Sequence, residues 1–229
     1  MDYSFLQCGE GALTVHLGDG IDPAINRRVT ALQGAIGSAG LRGITDLIPA
    51  YADLTVCYDC TVISAKALQR QLRRLLDSLS VAGQDRRRVF QLPVCYGGDY
   101  GPDLDFVCHH SGLSAQEVIE LHSAPDYLIY MLGFLPGFAY LGGLDPRLHT
   151  PRLDSPRTCI PAGSVGIGGA QTGVYPLASP GGWQLLGRTP VSVFDRQRQE
   201  PILYRAGDLV HFVPISPAEY EEIARAVAA

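Results

Sequence analysis

The order of apolar and polar positions indicates a first part of the chain built from helices and strands. Near the start, FLQC and ALTVHL read as two paired strands separated by Gly9, Glu10 and Gly11. Asp22 and Pro23 then predict the start of a helix, because aspartate caps helices and proline suits their first turn. The pattern therefore opens on a pair of strands followed by a helix.

Apolar residues at helical spacing predict two helices in this first part. The first helix carries one apolar face, made of Ile25, Val29, Leu32 and Ile36. The second begins at Ser64 and has leucines on one side, at Leu68, Leu72, Leu75, Leu76 and Leu79. Residues 44–48 and 54–58 are typical of strands. With the paired strand region before the first helix counted once, the order β–α–β–β–α favours a ferredoxin-like α+β domain over residues 1–85.

A polar segment, AGQDRR, predicts a domain boundary and a second domain over residues 86–229. This domain opens with a strand at 88–96 and two short helices. Residues 133–190 then hold 12 of the 26 Gly and eight of the 16 Pro. Short apolar pieces lie between these turn residues: VGIGG, GVYP, WQLLG and VSVFD. Such a pattern predicts a closed or nearly closed β-barrel, which a last strand at 208–215 and a terminal helix complete.

Composition narrows the possible function. Hydrophobic residues make up 46% of the 229 residues, which is enough for a core, and the net charge is −5. An acidic chain argues against binding to nucleic acid or to an anionic membrane. The sequence has no apolar run long enough to cross a membrane and no secretory signal, so we expect a cytoplasmic protein with reduced cysteines.

The Pro- and Gly-rich region also carries the candidate ligand groove. We expect its wall to be aromatic, drawn from Phe134, Phe138, Tyr140, Tyr175 and Trp183. We expect arginines around it, because their planar fork binds carboxylate or phosphate: Arg147, Arg152, Arg157 and Arg188. The alternative is that the aromatic residues fill the barrel and the arginines form ion pairs at the surface.

Other motifs are weak. The stretch at residues 165–169 lacks the Lys-Ser/Thr of a Walker loop and reads as a β-turn. Cys57-x-x-Cys60 has no second pair for zinc and ends a strand rather than opening a helix. His122 is a hydrogen-bonding candidate at the groove, with a core role as the alternative. Ser164 lacks a GxSxG context and is expected to bond a ligand or a turn.

Several motifs together resemble one protein family. They are GFLPGF at 133–138, Pro151-Arg152, Pro156-Arg157, PAGSVGIG at 161–168, QTGVYP at 171–176 and PGGW at 180–183. This combination is similar to the family that includes the B subunit of 5-oxoprolinase, allophanate hydrolase subunit 1 and KipI-type kinase inhibitors. The resemblance covers residues 88–215 at high specificity.

The resemblance implies a ferredoxin-like N-terminal domain and a cyclophilin-like β-barrel C-terminal domain. It also implies a subunit of an ATP-dependent 5-oxoprolinase, which opens 5-oxo-L-proline to L-glutamate and is inactive without its partners. Those partners are a homologous second subunit of the C type and a third subunit of the A type. ATP is used by the complex, although this chain has no standard ATP motif, and no metal is predicted in it.

Residues and resemblance together predict a groove for a small-molecule substrate or a partner, with catalytic residues unassigned. Its candidate residues are His122, Phe134, Pro136, Phe138, Arg152, Arg157, Ser164, Gln171, Tyr175, Trp183 and Arg188. Two alternative functions remain open. One is a regulatory protein that inhibits a sensor histidine kinase through this groove. The other is a carboxyltransferase-like subunit that acts on urea or a related small amide.

Overall fold

A computed structural model describes residues 3–79 and 87–228, which form two compact units with separate apolar cores. The boundary predicted between residues 85 and 86 lies outside the described residues. Across the two described ranges, no helix combines the length and the apolar character needed to cross a membrane.

The first unit is a four-stranded antiparallel sheet with two helices. Its elements, in chain order, are β1 (Ser4–Cys8), β2 (Ala12–His16), α1 (Pro23–Ala39), β3 (Ile44–Pro49), β4 (Asp53–Tyr58) and α2 (Ala65–Asp77). The strands lie in the order β1-β2-β4-β3. Alternate residues of β2 and β4 are fully buried and share a core with leucines of α2, as the period of two along a strand requires.

The predicted helix starts are confirmed by their capping bonds. Asp22 accepts a hydrogen bond from the Ala24 N–H at 2.6 Å, and Ser64 accepts one from the Ala67 N–H at 3.3 Å. Helix α1 ends at Gly40, whose φ of 56° lies in the left-handed region that glycine adopts without strain.

The predicted ferredoxin-like arrangement stays a prediction. A ferredoxin-like unit runs β-α-β-β-α-β, whereas this unit runs β-β-α-β-β-α. The difference lies in the edge strand beside β2, which is β1 and comes from the N-terminal hairpin rather than from a strand after α2. The mixed α and β architecture of the unit is confirmed.

The second unit is built on a closed barrel of seven strands. Its elements, in chain order, are β5 (Val89–Tyr96), α3 (Leu104–Ser111), α4 (Ala115–Ser123), β6 (Tyr127–Leu132), β7 (Ala139–Gly142), β8 (Arg157–Ile160), β9 (Ser164–Gly168), β10 (Gln171–Val174), β11 (Ser179–Gly181), β12 (Gln184–Arg188), β13 (Leu209–Ile215) and α5 (Pro217–Ala228). The barrel order is β10-β7-β6-β13-β5-β12-β9, and β8 pairs with β11 in a separate two-stranded sheet. The predicted closed barrel is confirmed, and its cyclophilin-like character stays a prediction.

Barrel closure depends on a parallel pair. Strand β5 runs alongside β13, from Val89 opposite Leu209 to Cys95 opposite Ile215. Just before the two strands, Arg88 donates two hydrogen bonds to Asp208, at 3.2 and 2.6 Å. The first strand of the barrel in the sequence is thereby fixed to the last.

Most local predictions in this unit are confirmed. VGIGG and WQLLG form most of β9 and β12. Ser114 and Glu117 form the predicted capping box of α4, and Ser216 and Glu219 form the same reciprocal bonds before α5. The stretch at residues 165–169, predicted as a β-turn, belongs to β9 up to Gly168, and Gly169, with a φ of 68°, begins the tight turn between β9 and β10.

The prediction that VSVFD forms a strand is wrong. Residues 191–195 make only one isolated bridge, at Phe194. Local side chains occupy the backbone groups that a sheet needs: Thr189 accepts from the Val191 N–H, and Ser192 donates to the Phe194 carbonyl. Such short-range bonds compete with strand pairing.

Candidate functional site

An aromatic cluster covers one side of the barrel. Val165 and Ile167 of β9 point into the barrel core, so Gly166 and Gly168 lie on the outer face, as strand alternation requires. A Cβ atom added to Gly168 would lie 2.3 Å from Trp183 Nε1. The absence of a side chain at Gly168 is therefore what allows the Trp183 indole to lie against the sheet.

Phe138 is the centre of this cluster. Its ring meets the rings of Phe134, Tyr140, Tyr175 and Trp183 edge to face, with centroids 5.6, 4.9, 5.2 and 5.5 Å away. Aromatic pairs prefer this geometry. The rings are thus fixed by one another and form a rigid apolar surface.

A pocket of about 320 Å³ opens on this surface, and we call it the aromatic pocket. It is lined by Phe134, Phe138, Tyr140, Arg152, Pro156, Tyr175, Pro180, Gly181, Gly182 and Trp183. Its volume is at the small end of the range for ligand pockets, about 300–1,000 Å³. The size and lining suit a small ligand with at least one flat or apolar face.

Arg152 brings a positive charge to the aromatic pocket. Its guanidinium carbon lies 5.8 Å from the Trp183 ring centroid, a cation–π distance. Within the two described ranges no carboxylate pairs with Arg152. The guanidinium is therefore available to a carboxylate or phosphate on a ligand.

Arg157 lies beside the aromatic pocket but is already paired. It donates to Asp103 at 2.6 Å and to the Trp183 carbonyl at 3.5 Å. The other Asp103 oxygen accepts the Leu185 N–H at 2.7 Å. The pair holds the start of β12, so Arg157 positions the backbone of Trp183 rather than presenting a free charge.

Ser164 and Arg188 stand directly opposite each other on β9 and β12, outside the pocket lining. Ser164 is fully buried, and neither its Oγ nor Arg188 Nε finds a hydrogen-bond partner among the described residues. The Arg188 guanidinium lies 5.9 Å from the Tyr100 ring centroid. These two candidates share one face of the sheet without forming part of the aromatic pocket.

His122 lies in the barrel interior, which corrects its predicted place at the groove. It is fully buried and stacks on Phe212 with ring centroids 4.8 Å apart. Its Nε2 lies 2.8 Å from Thr172 Oγ1, and Thr172 in turn donates to the Gly166 carbonyl. Thr172 therefore accepts from His122 Nε2–H, and Nδ1 accepts from the Tyr96 hydroxyl at 2.8 Å.

This arrangement fixes the protonation state of His122. Burial lowers its pKa to about 3, because the charged imidazolium would lose its hydration without gaining an anionic partner. Burial also raises the pKa of Tyr96. The side chain is a neutral, fully bonded core histidine, which was the alternative interpretation of the sequence.

The remaining candidates lie at the margins. Pro136 is exposed at the tip of the 133–138 loop, and Gln171 begins β10; neither lines the aromatic pocket. Cys57 and Cys60 are free thiols. In the part of the chain that the structure describes, no three His, Cys, Asp or Glu side chains group as metal ligands.

The structure therefore brings together six residues that the sequence predicted for the groove: Phe134, Phe138, Tyr140, Arg152, Tyr175 and Trp183. Sequence reasoning missed four lining residues, although their Pro- and Gly-rich runs were the signal: Pro156, Pro180, Gly181 and Gly182. It also missed Asp103, because nothing in the sequence links position 103 with position 157.

The sequence of this chain matches one protein family and is similar to several known proteins. Residues 3–204 match the family described as carboxyltransferase domain, subdomain C and D. The chain is 42% identical over 228 residues to the B subunit of 5-oxoprolinase from Bacillus subtilis, covering 95% of each chain. It is 46% identical over 207 residues to the B subunit of 5-oxoprolinase from Escherichia coli O157:H7, covering 90% of this chain and 93% of that one.

A solved structure shows the same fold. The crystal structure of TTHA0988 matches with a TM-score of 0.78 and 41% sequence identity, covering 90% of this chain. Only 40% of the TTHA0988 chain is covered, so the present chain spans about two fifths of that length.

Proposed function

This chain belongs to the carboxyltransferase domain, subdomain C and D, family, and from that membership we propose that it is the B-type subunit of a 5-oxoprolinase complex. The proposed complex opens 5-oxo-L-proline to L-glutamate with hydrolysis of ATP. The observation that carries the proposal is the extent of the likeness to two proteins named as the B subunit of 5-oxoprolinase, which runs along at least 90% of each chain.

The chemistry of the aromatic pocket supports this proposal. 5-Oxoproline is a small five-membered lactam ring that carries one carboxylate. Phe138 and Trp183 offer apolar ring faces, and Arg152 offers a guanidinium with no carboxylate partner among the described residues. Ligand sites commonly combine apolar walls with a few placed polar groups. We assign substrate binding in the complex to this pocket.

The reaction explains why ATP is required. The lactam carbonyl is a poor electrophile, and transfer of the γ-phosphoryl group of ATP to its oxygen activates the ring carbon and releases ADP. One water adds to that carbon, and the C–N bond breaks to give γ-glutamyl phosphate. A second water releases phosphate and leaves glutamate. This chain carries no Walker motif, and in the proposed reaction ATP is used by the assembled complex.

The test is a reconstitution that measures 5-oxoproline-dependent release of ADP together with glutamate. The chain is assayed alone, with the C-type and A-type subunits, and omitted from that mixture. We expect coupled turnover only in the complete mixture. Absence of turnover with three folded subunits would overturn the proposal and direct attention to kinase inhibition or to a carboxyltransferase activity on urea.

A matched pair of arginine variants tests the pocket assignment within the active complex. Arg152→Ala removes the guanidinium over Trp183, whereas Arg147→Ala removes one that is paired with Asp145 outside the pocket lining. A charge-assisted hydrogen bond contributes about 1.5–3 kcal/mol, so we expect KM for 5-oxoproline to rise at least tenfold in the first variant only. Equal KM values in both variants would remove Arg152 from the site.

A further inference from the structure

The loop between β6 and β7 contains an unusual backbone conformation at Phe134. Its φ is 66°, and it is the one non-glycine residue of the described ranges with a positive φ. The Leu135 N–H donates to the Gly133 carbonyl at 2.8 Å, which closes a three-residue γ-turn around Phe134. A γ-turn with a positive φ at its centre is the rare, strained form.

The surrounding structure holds this strained turn in place. The Gly133 N–H donates to the Phe138 carbonyl at 3.2 Å, and the Phe138 N–H donates to the Leu135 carbonyl at 3.0 Å. The buried Tyr204 hydroxyl donates to the Gly137 carbonyl at 2.9 Å. The loop is thus closed on itself and tied to the barrel, as a persistent strained residue requires.

The strained turn presents an aromatic ring to solvent. Phe134 is 63% exposed, more than any other exposed large apolar residue among the described ones. Its ring edge contacts Phe138 and it lines the aromatic pocket. An exposed apolar ring is unfavourable in the free chain, and a ligand that covers the ring would remove that apolar surface from water.

We infer that Phe134 is a specificity-determining residue of the aromatic pocket, whose ring contacts the lactam ring of 5-oxoproline while Arg152 receives the carboxylate. This inference rests on the proposed function, because it takes 5-oxoproline as the ligand. It goes further by naming the residue that selects a ligand with a flat ring. It also assigns a role to the strained γ-turn, which holds the Phe134 ring at the pocket before the ligand binds.

The chain contains its own probe for the test. Trp183 is the single tryptophan and lines the aromatic pocket, so its fluorescence reports on occupancy. 5-Oxoproline is titrated into the wild-type chain, Phe134→Ala, Phe134→Gly and Phe134→Tyr. Phe106→Ala serves as the control, because Phe106 is also an exposed phenylalanine but lies on α3, outside the pocket lining.

We expect at least tenfold weaker binding in Phe134→Ala and Phe134→Gly, and near wild-type binding in Phe134→Tyr and Phe106→Ala. Glycine adopts a positive φ freely, so Phe134→Gly should unfold at the same or higher urea concentration than Phe134→Ala. A loss of binding common to both variants is then caused by the missing ring and not by backbone strain. In the reconstituted complex KM should rise while kcat stays within twofold.

Two results would overturn the inference. One is wild-type affinity in both Phe134→Ala and Phe134→Gly. The other is a wild-type titration in which 5-oxoproline leaves Trp183 fluorescence unchanged while the complete complex turns over. That second result would keep the proposed function and remove the ligand from this pocket. Binding to the chain with no turnover in any mixture would instead overturn the proposed function and leave the role of Phe134 standing.

Discussion

The buried His122 makes the stability of this protein depend on pH in a defined direction. Its pKa is lowered to about 3 by burial, whereas a histidine in the unfolded chain titrates near 6.5. At pH values between these two pKa values, His122 is protonated in the unfolded chain and neutral in the folded protein. The free energy of unfolding that the neutral His122 contributes is therefore fully present above about pH 6.5 and is lost as the pH falls towards about 3.

The magnitude follows from that proton. Each pH unit below 6.5 costs about 1.4 kcal/mol of unfolding free energy, which amounts to about 2 kcal/mol between pH 6.5 and pH 5. This interval lies above the range in which most carboxylates titrate. His16 also titrates there, and its pKa is raised by the hydrogen bond to Asp53, so its contribution has the opposite sign and is the same in wild type and in a variant of His122. Urea unfolding of the wild-type chain at several pH values from 5 to 7.5 measures the slope directly.

His122→Gln is the variant that isolates this effect, because its amide does not titrate. We expect lower stability at pH 7, since Tyr96 and Thr172 lose an ideal partner, but a flatter dependence below pH 6.5. His110→Gln, at an exposed position on α3, should keep the wild-type slope. Parallel curves for wild type and His122→Gln would refute the neutral, buried histidine.

Two further predictions concern the residues around the aromatic pocket. Gly168→Ala should destabilise the chain by about 1–3 kcal/mol, because the added Cβ would clash with Trp183. Urea unfolding and the emission maximum of Trp183 both measure this effect. An unchanged unfolding midpoint would contradict the packing argument. Asp103→Ala should lower the free energy of unfolding by about 2 kcal/mol, because it removes the partner of Arg157 and leaves the Leu185 N–H unpaired. Asp105→Ala, at an exposed position of α3, is the control. Equal losses of unfolding free energy in both variants would contradict a special role for Asp103.

Local signals explain why much of the fold follows from the sequence. The caps at Asp22, Ser64 and Ser114 act within three residues, so a single chain segment determines each helix start. The dense turns of residues 133–190 similarly require short strands. The failed strand at 191–195 shows the limit, because side-chain bonds of Thr189 and Ser192 override an apolar alternation.

The candidate site was predictable in composition but not in arrangement. The aromatic wall could be predicted from the sequence because Phe134, Phe138 and Trp183 lie among turn residues that keep them out of helices. The roles of the arginines could not be predicted in this way, because Arg157 is paired with Asp103, which is 54 positions away. Whether a charge is free or paired depends on tertiary contacts that no local pattern contains.

The parallel pairing of β5 with β13 also has a consequence for synthesis on the ribosome. Arg88 and Asp208, which lie at the start of this pair, are 120 positions apart. The sheet of the first unit is complete once β4 has emerged, whereas β5 must wait for almost the whole second unit before it gains that neighbour. Closure over so long a chain is slow, and an unpaired apolar strand invites aggregation. The nascent barrel therefore stays open for most of its translation time, and a pause between β5 and β13 prolongs the interval in which β5 lacks this neighbour.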